Sequence, residues 1–216
     1  VSETDLDWTP TLEGWVRLQD QKYQGQLREL IAKYLGESSP VFPGHLMDFL
    51  NRNCNQVIKL SRVGSTTGMG DLFKGLIEGK DSIDISTDTA NRIEKIFLYC
   101  LCWSVGGVLD VESRHKIDEY IRNIDGKNMP TLNGPEETIY EYFVTHDGEW
   151  SFWKPPAWEY PVGTEKLDFS NLLVPTMDST RANYNSFHLH KQRKCVCLVG
   201  GEGTAKTSTA LMFFST

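Results

Sequence analysis

The chain has 216 residues, and its 22 basic and 29 acidic side chains give a net charge of −7. A hydrophobic content of 39% is typical of a globular protein with a buried core. The acidic balance provides no basic field for nucleic acid or an anionic membrane, so neither is expected as a partner. No apolar stretch reaches the roughly 18 residues that span a bilayer. The acidic start, residues 1–5, is unlike a signal peptide, so we expect an intracellular protein.

Apolar side chains recur at helical spacing through the first two-thirds of the chain and predict six helices, centred on residues 12–16, 27–35, 46–54, 72–77, 93–102 and 117–124. Ser86 and Asp88 are candidate N-caps of the fifth helix, which we expect to end at Gly106-Gly107. The glycine-rich stretch 64–70 is predicted to be a flexible loop. Ser38 to Pro40 and the pair Pro43-Gly44 are predicted to separate the second helix from the third.

From Thr138 to Trp153 the apolar period falls towards two, and Asp147-Gly148 is a hairpin turn signal. We therefore expect an aromatic β-hairpin that connects the helical part to the C-terminal part of the chain. A helix is predicted from Met177 through Phe187, and the apolar run 195–199 is predicted to be a buried strand. Four of the five cysteines lie in apolar runs, which is typical of reduced, packed thiols.

The segment Gly200-Gly201-Glu202-Gly203-Thr204-Ala205-Lys206-Thr207 matches the Walker A pattern G-x-x-x-x-G-K-S/T, except that alanine replaces the second glycine. In such a loop backbone N–H groups surround phosphate oxygens, the lysine reaches the β and γ phosphates, and the threonine hydroxyl binds Mg²⁺. The predicted nucleotide-binding residues are Gly200, Gly201, Glu202, Gly203, Thr204, Ala205, Lys206, Thr207 and Ser208, with Thr207 as the metal ligand.

Alanine adds only a methyl group and suits a helix. We therefore expect Ala205 to weaken binding only if its position needs a positive φ or a very close approach of phosphate. A loop that keeps the fold but binds no nucleotide stays an open alternative. Nine residues follow Thr207, too few for the strand whose carboxylate would organise Mg²⁺ and the attacking water. We expect a piece of a longer or partly traced polypeptide that does not hydrolyse ATP by itself.

Two further groups of polar residues leave alternatives open. His188, His190 and the basic residues Lys191, Arg193 and Lys194 are interpreted as a solvated loop, against a phosphate or partner contact. Arg114 is either a nucleotide-sensing arginine or a helix-surface charge, and the sequence favours the surface charge.

The order and spacing of these motifs resemble the dynein heavy chains. The stretch 5–10 with Trp15 resembles the end of the large subdomain of the second AAA+ module. The segments 97–110, which contains Trp-Ser-Val-Gly-Gly, and 113–118 resemble its helical small subdomain. Residues 173–181 resemble the entry to the nucleotide pocket of the third module. The Gly-Thr-Ala-Lys-Thr form of the loop resembles that of axonemal, outer-arm-type heavy chains.

The resemblance implies a fold that is mostly α, with a β-hairpin connector and the start of an α/β P-loop (AAA+) domain, as a fragment of a larger AAA+ ring. The implied domains are the end of the second large subdomain (1–25), the helical small subdomain (26–129), the hairpin connector (130–170) and the start of the third large subdomain (171–216). The implied localisation is the cytoplasm and its cytoskeleton, and in particular the axoneme of the cilium.

The implied function is the ATP-binding regulatory part of a dynein motor that drives ATP-dependent movement along microtubules. ATP or ADP with Mg²⁺ would lie at the loop, with Val174 and Pro175 lining the adenine side. Arg114 and Gly106-Gly107 would sense nucleotide in the second module's own site. The implied partners are the remainder of the ring, microtubules and other dynein subunits. A structural ring connector with a degenerate loop, or a fragment of another AAA+ ATPase, are the alternatives.

Overall fold

The computed structural model describes residues 9–35, 46–79, 81–159 and 172–215. Contacts divide the chain into two units, Val1–Ser151 and Phe152–Thr216. The described part of the first unit begins with six helices: α1 (Thr9–Arg17), α2 (Gln21–Leu35), α3 (Leu46–Asn53), α4 (Arg62–Ile77), α5 (Thr89–Gly106) and α6 (Val111–Asp125). A 3₁₀ helix (Ile139–Glu141) and the hairpin strands β1 (Tyr142–Val144) and β2 (Trp150–Phe152) come next. Helices α7 (Met177–Lys191) and α8 (Lys206–Ser215) belong to the second unit.

The six predicted helices are present, whereas the breaks predicted at Ser38 to Pro40 and at Pro43-Gly44 lie outside the described residues. None of the described helices is long and apolar enough to cross a membrane.

Helix α5 is the centre of the first unit, and ten of its 18 residues are buried. It packs against α2, α4, α6, β1 and the 3₁₀ helix, so its wide apolar surface is covered from several sides, as predicted. The helix ends at Gly106, also as predicted. Its N-cap is Asp88, but the left-handed φ of 47° turns the Asp88 carboxylate away from capping, and it accepts from Asn91 Nδ2 instead. The other candidate, Ser86, does not cap the helix: its N–H donates to Asp84 Oδ1.

The prediction of a flexible loop at residues 64–70 is wrong, because this stretch forms the first half of α4. The Ser61 hydroxyl caps the helix by accepting from the Gly64 N–H at 3.0 Å, and burial of Met69, Leu72 and Phe73 holds it in place. Tertiary packing here outweighs the low helix propensity of glycine. A Cβ on Gly70 would lie 2.6 Å from Trp15 Cδ1, so this glycine lets α1 approach α4 closely.

The hairpin turn at Asp147-Gly148 is confirmed, with Gly148 at a φ of 75° and β1 paired to β2. Residues 139–141, which precede the hairpin, form a 3₁₀ turn instead of extending the strand. The Thr138 hydroxyl and the Glu141 carboxylate cap each other's backbone N–H groups there, which stabilises the turn over an extended chain.

The 3₁₀ turn places Tyr140 against the end of α5. The Tyr140 hydroxyl donates to the carbonyl of Cys102 at 3.1 Å, and a Cβ on Gly106 would overlap that hydroxyl. The Tyr140 ring meets Trp103 edge-on at 5.5 Å. Gly106 therefore has a packing role in the Trp-Ser-Val-Gly-Gly segment.

Helix α7 begins with a capping box, in which the Thr176 hydroxyl accepts from Ser179 N and the Ser179 hydroxyl accepts from Thr176 N. It continues to Lys191, four residues beyond the predicted end at Phe187. The prediction of a solvated loop around the histidines is therefore wrong for His188, which is buried, and for His190 and Lys191, which lie in the last turn.

The predicted strand at residues 195–199 is not formed. Among the described residues the sheet is the β1–β2 hairpin, and this segment has no place in it. A strand needs a hydrogen-bonded neighbour, and without one the segment has no regular structure and leaves Val196 and Val199 exposed. The prediction of packed thiols holds for Cys100 and Cys102, where burial raises the pKa well above its ordinary value, but not for the exposed Cys195 and Cys197.

Candidate nucleotide-binding site

Residues 200–205 form an exposed loop that leads directly into α8. Gly203 has a φ of 72°, and Ala205 has a φ of 56°, so two residues of this short loop adopt the left-handed conformation. A Cβ on Gly200 would lie 2.8 Å from Thr204 Oγ1, whereas Gly201 and Gly203 have open space around them. The loop therefore keeps the backbone exposed at its turn, as binding of phosphate by N–H groups requires.

Ala205 meets one of the two conditions under which alanine should weaken the site, because its φ is positive. Glycine adopts this conformation freely, whereas a residue with a Cβ does so at a cost of about 1–2 kcal/mol. The Ala205 carbonyl accepts both the Thr209 N–H and the Thr209 hydroxyl, each at 2.9 Å. Ala205 is thus the residue that joins the loop to the helix.

Lys206 is the first residue of α8, and its Nζ is held over the loop. It donates to the Gly201 carbonyl at 2.5 Å and to Thr204 Oγ1 at 3.1 Å, and Thr204 Oγ1 donates to the same carbonyl at 2.9 Å. No carboxylate of the described residues forms an ion pair with Lys206, so its charge is available to an anion. The first N–H groups of a helix have no partner within it and carry its positive dipole end, which favours phosphate at the same place.

The remaining predicted residues lie in two places. Thr207 and Ser208 are in the first turn of α8, with Thr207 exposed and Ser208 half-buried. Val174 and Pro175 precede the capping box of α7. No hydrogen bond, ion pair or ring contact joins Val174 or Pro175 to the loop within the described part of the chain, so their place on the adenine side stays a prediction.

Two threonines of the loop region have roles that the pattern did not reveal. Thr209 is buried and anchors Ala205 through its hydroxyl, and Thr204 holds Gly201. The sequence could have indicated the role of Thr209, because a threonine in the first turn of a helix can donate its hydroxyl to the carbonyl four residues earlier, where the loop ends.

Beside the loop, residues of α7, of α8 and of the segment 194–198 line a cavity of about 330 Å³. Its mainly apolar lining includes Leu198, Phe213 and Phe214, with His190 and Lys194 among the polar members. The second unit therefore presents an apolar hollow next to the candidate phosphate-binding loop.

Arg114, on α6 of the first unit, is half-buried, with its guanidinium carbon 5.1 Å from the centre of the Tyr140 ring and 6.0 Å from that of Trp103. Arg114 therefore lies on the helix surface without being fully solvated, because its guanidinium packs on two aromatic rings. Its Nε is buried and makes no hydrogen bond among the described residues. A role in sensing nucleotide stays a prediction.

Two parts of the chain match known protein families. Residues 161–216 match the family described as "P-loop containing dynein motor region", so the class is a P-loop motor domain. Residues 41–155 match "Dynein heavy chain AAA lid domain", which covers more than half of the chain. The chain belongs to the dynein heavy chain family.

Several axonemal proteins are similar along the whole chain. The flagellar outer-arm dynein gamma chain of Chlamydomonas reinhardtii is 31% identical over 218 residues, covering 100% of this chain and 5% of that protein. Dynein axonemal heavy chain 5 of Rattus norvegicus is 30% identical over 220 residues, covering 100% and 6%. Dynein axonemal heavy chain 8 of Mus musculus is 29% identical over 210 residues, covering 96% and 4%.

The chain spans only about one twentieth of the length of the curated relatives it matches. Their names indicate a cytoskeletal localisation in the ciliary or flagellar axoneme. The mostly helical fold with one small hairpin is consistent with a dynein AAA lid followed by part of a P-loop domain. Membership of this family removes the interpretation as a fragment of another AAA+ ATPase.

Proposed function

We propose that this chain is an ATP-binding regulatory part of a dynein motor that drives ATP-dependent movement along microtubules. The observation that carries the proposal is the loop at residues 200–207 within the matched P-loop region, with Lys206 free of any described carboxylate and placed over the loop. ATP or ADP would lie with its phosphates against the N–H groups of this loop. Mg²⁺ would bridge the phosphates and the Thr207 hydroxyl.

The domain boundaries expected from the sequence belong to this proposal. The second AAA+ module contributes the end of its large subdomain (residues 1–25) and its helical small subdomain (26–129). A hairpin connector (130–170) joins it to the start of the large subdomain of the third module (171–216). The remainder of the heavy chain is the immediate partner, and microtubules and other dynein subunits are partners of the whole motor. Regulation fits this region because the loop has alanine where glycine is usual.

The test is a titration of the complete motor region with a fluorescent ATP analogue, comparing the wild type with Lys206→Ala. Removal of the ammonium group should weaken binding of the analogue to the loop of the third module at least tenfold, because a charge-assisted bond to phosphate contributes roughly 1.5–3 kcal/mol. Lys154→Ala is the matched control, since Lys154 is an exposed lysine of the same unit outside the loop.

Identical binding of the analogue to the loop of the third module in the wild type and in Lys206→Ala would overturn the proposal. Absence of the analogue from this site in both proteins would leave a structural ring connector whose loop binds no nucleotide. Equal weakening by the Lys154→Ala control would also contradict the proposal, because the loss of any positive charge would then weaken binding.

A further inference from the structure

Ala205 is the one described loop residue with a side chain and a left-handed backbone between Gly200 and the start of α8. Resting on the function proposed above, we propose that Ala205 sets the nucleotide affinity of this loop by making its phosphate-binding conformation a minority conformation. The ligand class is a nucleoside di- or triphosphate. Ala205 is a positioning residue, since it acts through the loop backbone and through Lys206.

The loop does little to enforce the disfavoured backbone of Ala205. The residue is exposed, and the glycines at 201 and 203 have open space around them. Within the described residues, Ala205 is held by two hydrogen bonds that its carbonyl accepts, one from the Thr209 N–H and one from the Thr209 hydroxyl. A strained conformation persists where packing over-determines it, and here packing does not. Ala205 is therefore expected to leave the left-handed region for part of the time.

The conformation of Ala205 decides what the next residue can reach. Lys206 follows it directly, and Nζ of Lys206 lies over the loop, 2.5 Å from the Gly201 carbonyl. A left-handed residue changes the chain direction between the loop and α8. When Ala205 relaxes, Lys206 and the first N–H groups of the helix no longer converge on the phosphate position.

The affinity for nucleotide depends on how much of the free protein has the loop in its phosphate-binding conformation. When the competent conformation is a fraction of the free protein, the apparent dissociation constant is the intrinsic one divided by that fraction. Glycine removes the penalty of the left-handed conformation. Ala205→Gly should therefore lower the dissociation constant at this site about fivefold or more.

The experiment measures photolabelling of the complete motor region by 8-azido-ATP over a range of analogue concentrations, and the label is read in the peptides that cover residues 172–216, which include the predicted adenine-side residues Val174 and Pro175. The variants are Ala205→Gly, Ala205→Asn and Ala205→Val. Asparagine adopts the left-handed conformation more readily than alanine, whereas a β-branched residue resists it. The expected order of affinity is glycine, asparagine, alanine, valine. Ala210→Gly, a substitution within α8, is the control and should not tighten binding.

The position of asparagine separates backbone strain from a steric clash. If the alanine methyl group merely touched phosphate, the larger asparagine would bind more weakly than alanine, and that result would overturn the inference. Equal dissociation constants for alanine and glycine would also overturn it.

Failure of the inference differs from failure of the proposed function. If Lys206→Ala loses the label while Ala205→Gly leaves the dissociation constant unchanged, nucleotide binds and the inference is wrong. If the wild type and every variant lack the label, both are wrong. Label in Ala205→Gly alone, lost again on adding Lys206→Ala, would support the inference and show that alanine has silenced the wild-type site.

Discussion

At Gly106 the absence of a side chain makes room for a tyrosine. Because a Cβ there would overlap the Tyr140 hydroxyl, Gly106→Ala should push the 3₁₀ turn away from α5 and break the bond to the Cys102 carbonyl. Overpacking of this kind costs about 1–3 kcal/mol, and the helix propensity gained by alanine offsets only part of it. We expect the free energy of unfolding to fall by about 2 kcal/mol, measured by urea denaturation of this chain.

Gly25→Ala is the matched control for this substitution. Gly25 lies on α2, and nothing lies within 4 Å of the position of its Cβ, so alanine should stabilise the chain by roughly 0.5–1 kcal/mol. A Gly106→Ala variant that gains stability as Gly25→Ala does would show that Tyr140 does not need this space.

Individual residue roles were predictable where they depend on neighbours in sequence. The stop of α5 at Gly106 and the turn at Gly148 follow from local chemistry. The sequence does not specify the sign of φ at Ala205, because alanine by itself favours a right-handed conformation, whereas Ala205 has a φ of 56°. Nor could it place Arg114, whose burial depends on Tyr140 from a segment distant in sequence.

At the scale of elements, an ionic cluster joins α2, α5 and α6. Lys33 Nζ donates to Glu94 Oε1 at 2.7 Å and to Asp125 Oδ2 at 2.5 Å, and Tyr34 donates to the same Glu94 oxygen at 2.9 Å. Burial alone would lower the pKa of Lys33, but its bonds to Asp125 and Glu94 raise it above the ordinary value. The cluster fixes α2 onto α5 and α6.

This cluster makes stability depend on pH. The hydrogen bond from Lys33, with that from the Lys127 N–H, holds the pKa of Asp125 below its ordinary value of 3.8. A lowered folded-state pKa contributes stability that is present above the unfolded value and lost as pH falls through the folded one. Asp125→Asn should therefore lower the free energy of unfolding at pH 7 by about 1 kcal/mol or less, since the side chain is partly exposed.

The measurement is urea unfolding of the wild type and Asp125→Asn at pH 7 and pH 3. The difference between them should shrink at the lower pH. A difference that is equal at both pH values would contradict the assigned ion pair. Asp147→Asn, in the exposed hairpin turn, should change the free energy of unfolding little at either pH.

Elements with a strong helical period were predictable, and those that depend on a distant partner were not. Helices α2, α5 and α6 carry regular apolar stripes. The start of α4 is rich in glycine and depends on Trp15 and on the Ser61 cap. The run 195–199 has strand composition, yet composition cannot supply a neighbouring strand.

At the scale of the whole molecule, the two matched family regions, residues 41–155 and 161–216, cover most of the chain. The family could be inferred from the order of short motifs, and the matches confirm it. The role of each loop residue stays a prediction, because an amino-acid pattern specifies which groups are present and the bound ligand decides which of them it contacts.

The most direct test of nucleotide binding is a cryo-electron microscopy map of the complete heavy-chain motor region with saturating ADP and Mg²⁺. We predict density for two phosphates against the N–H groups of residues 203–207, with Lys206 Nζ moved from the Gly201 carbonyl to a phosphate oxygen. A loop without nucleotide density, with Lys206 still on Gly201 while other sites of the same ring are filled, would contradict the account.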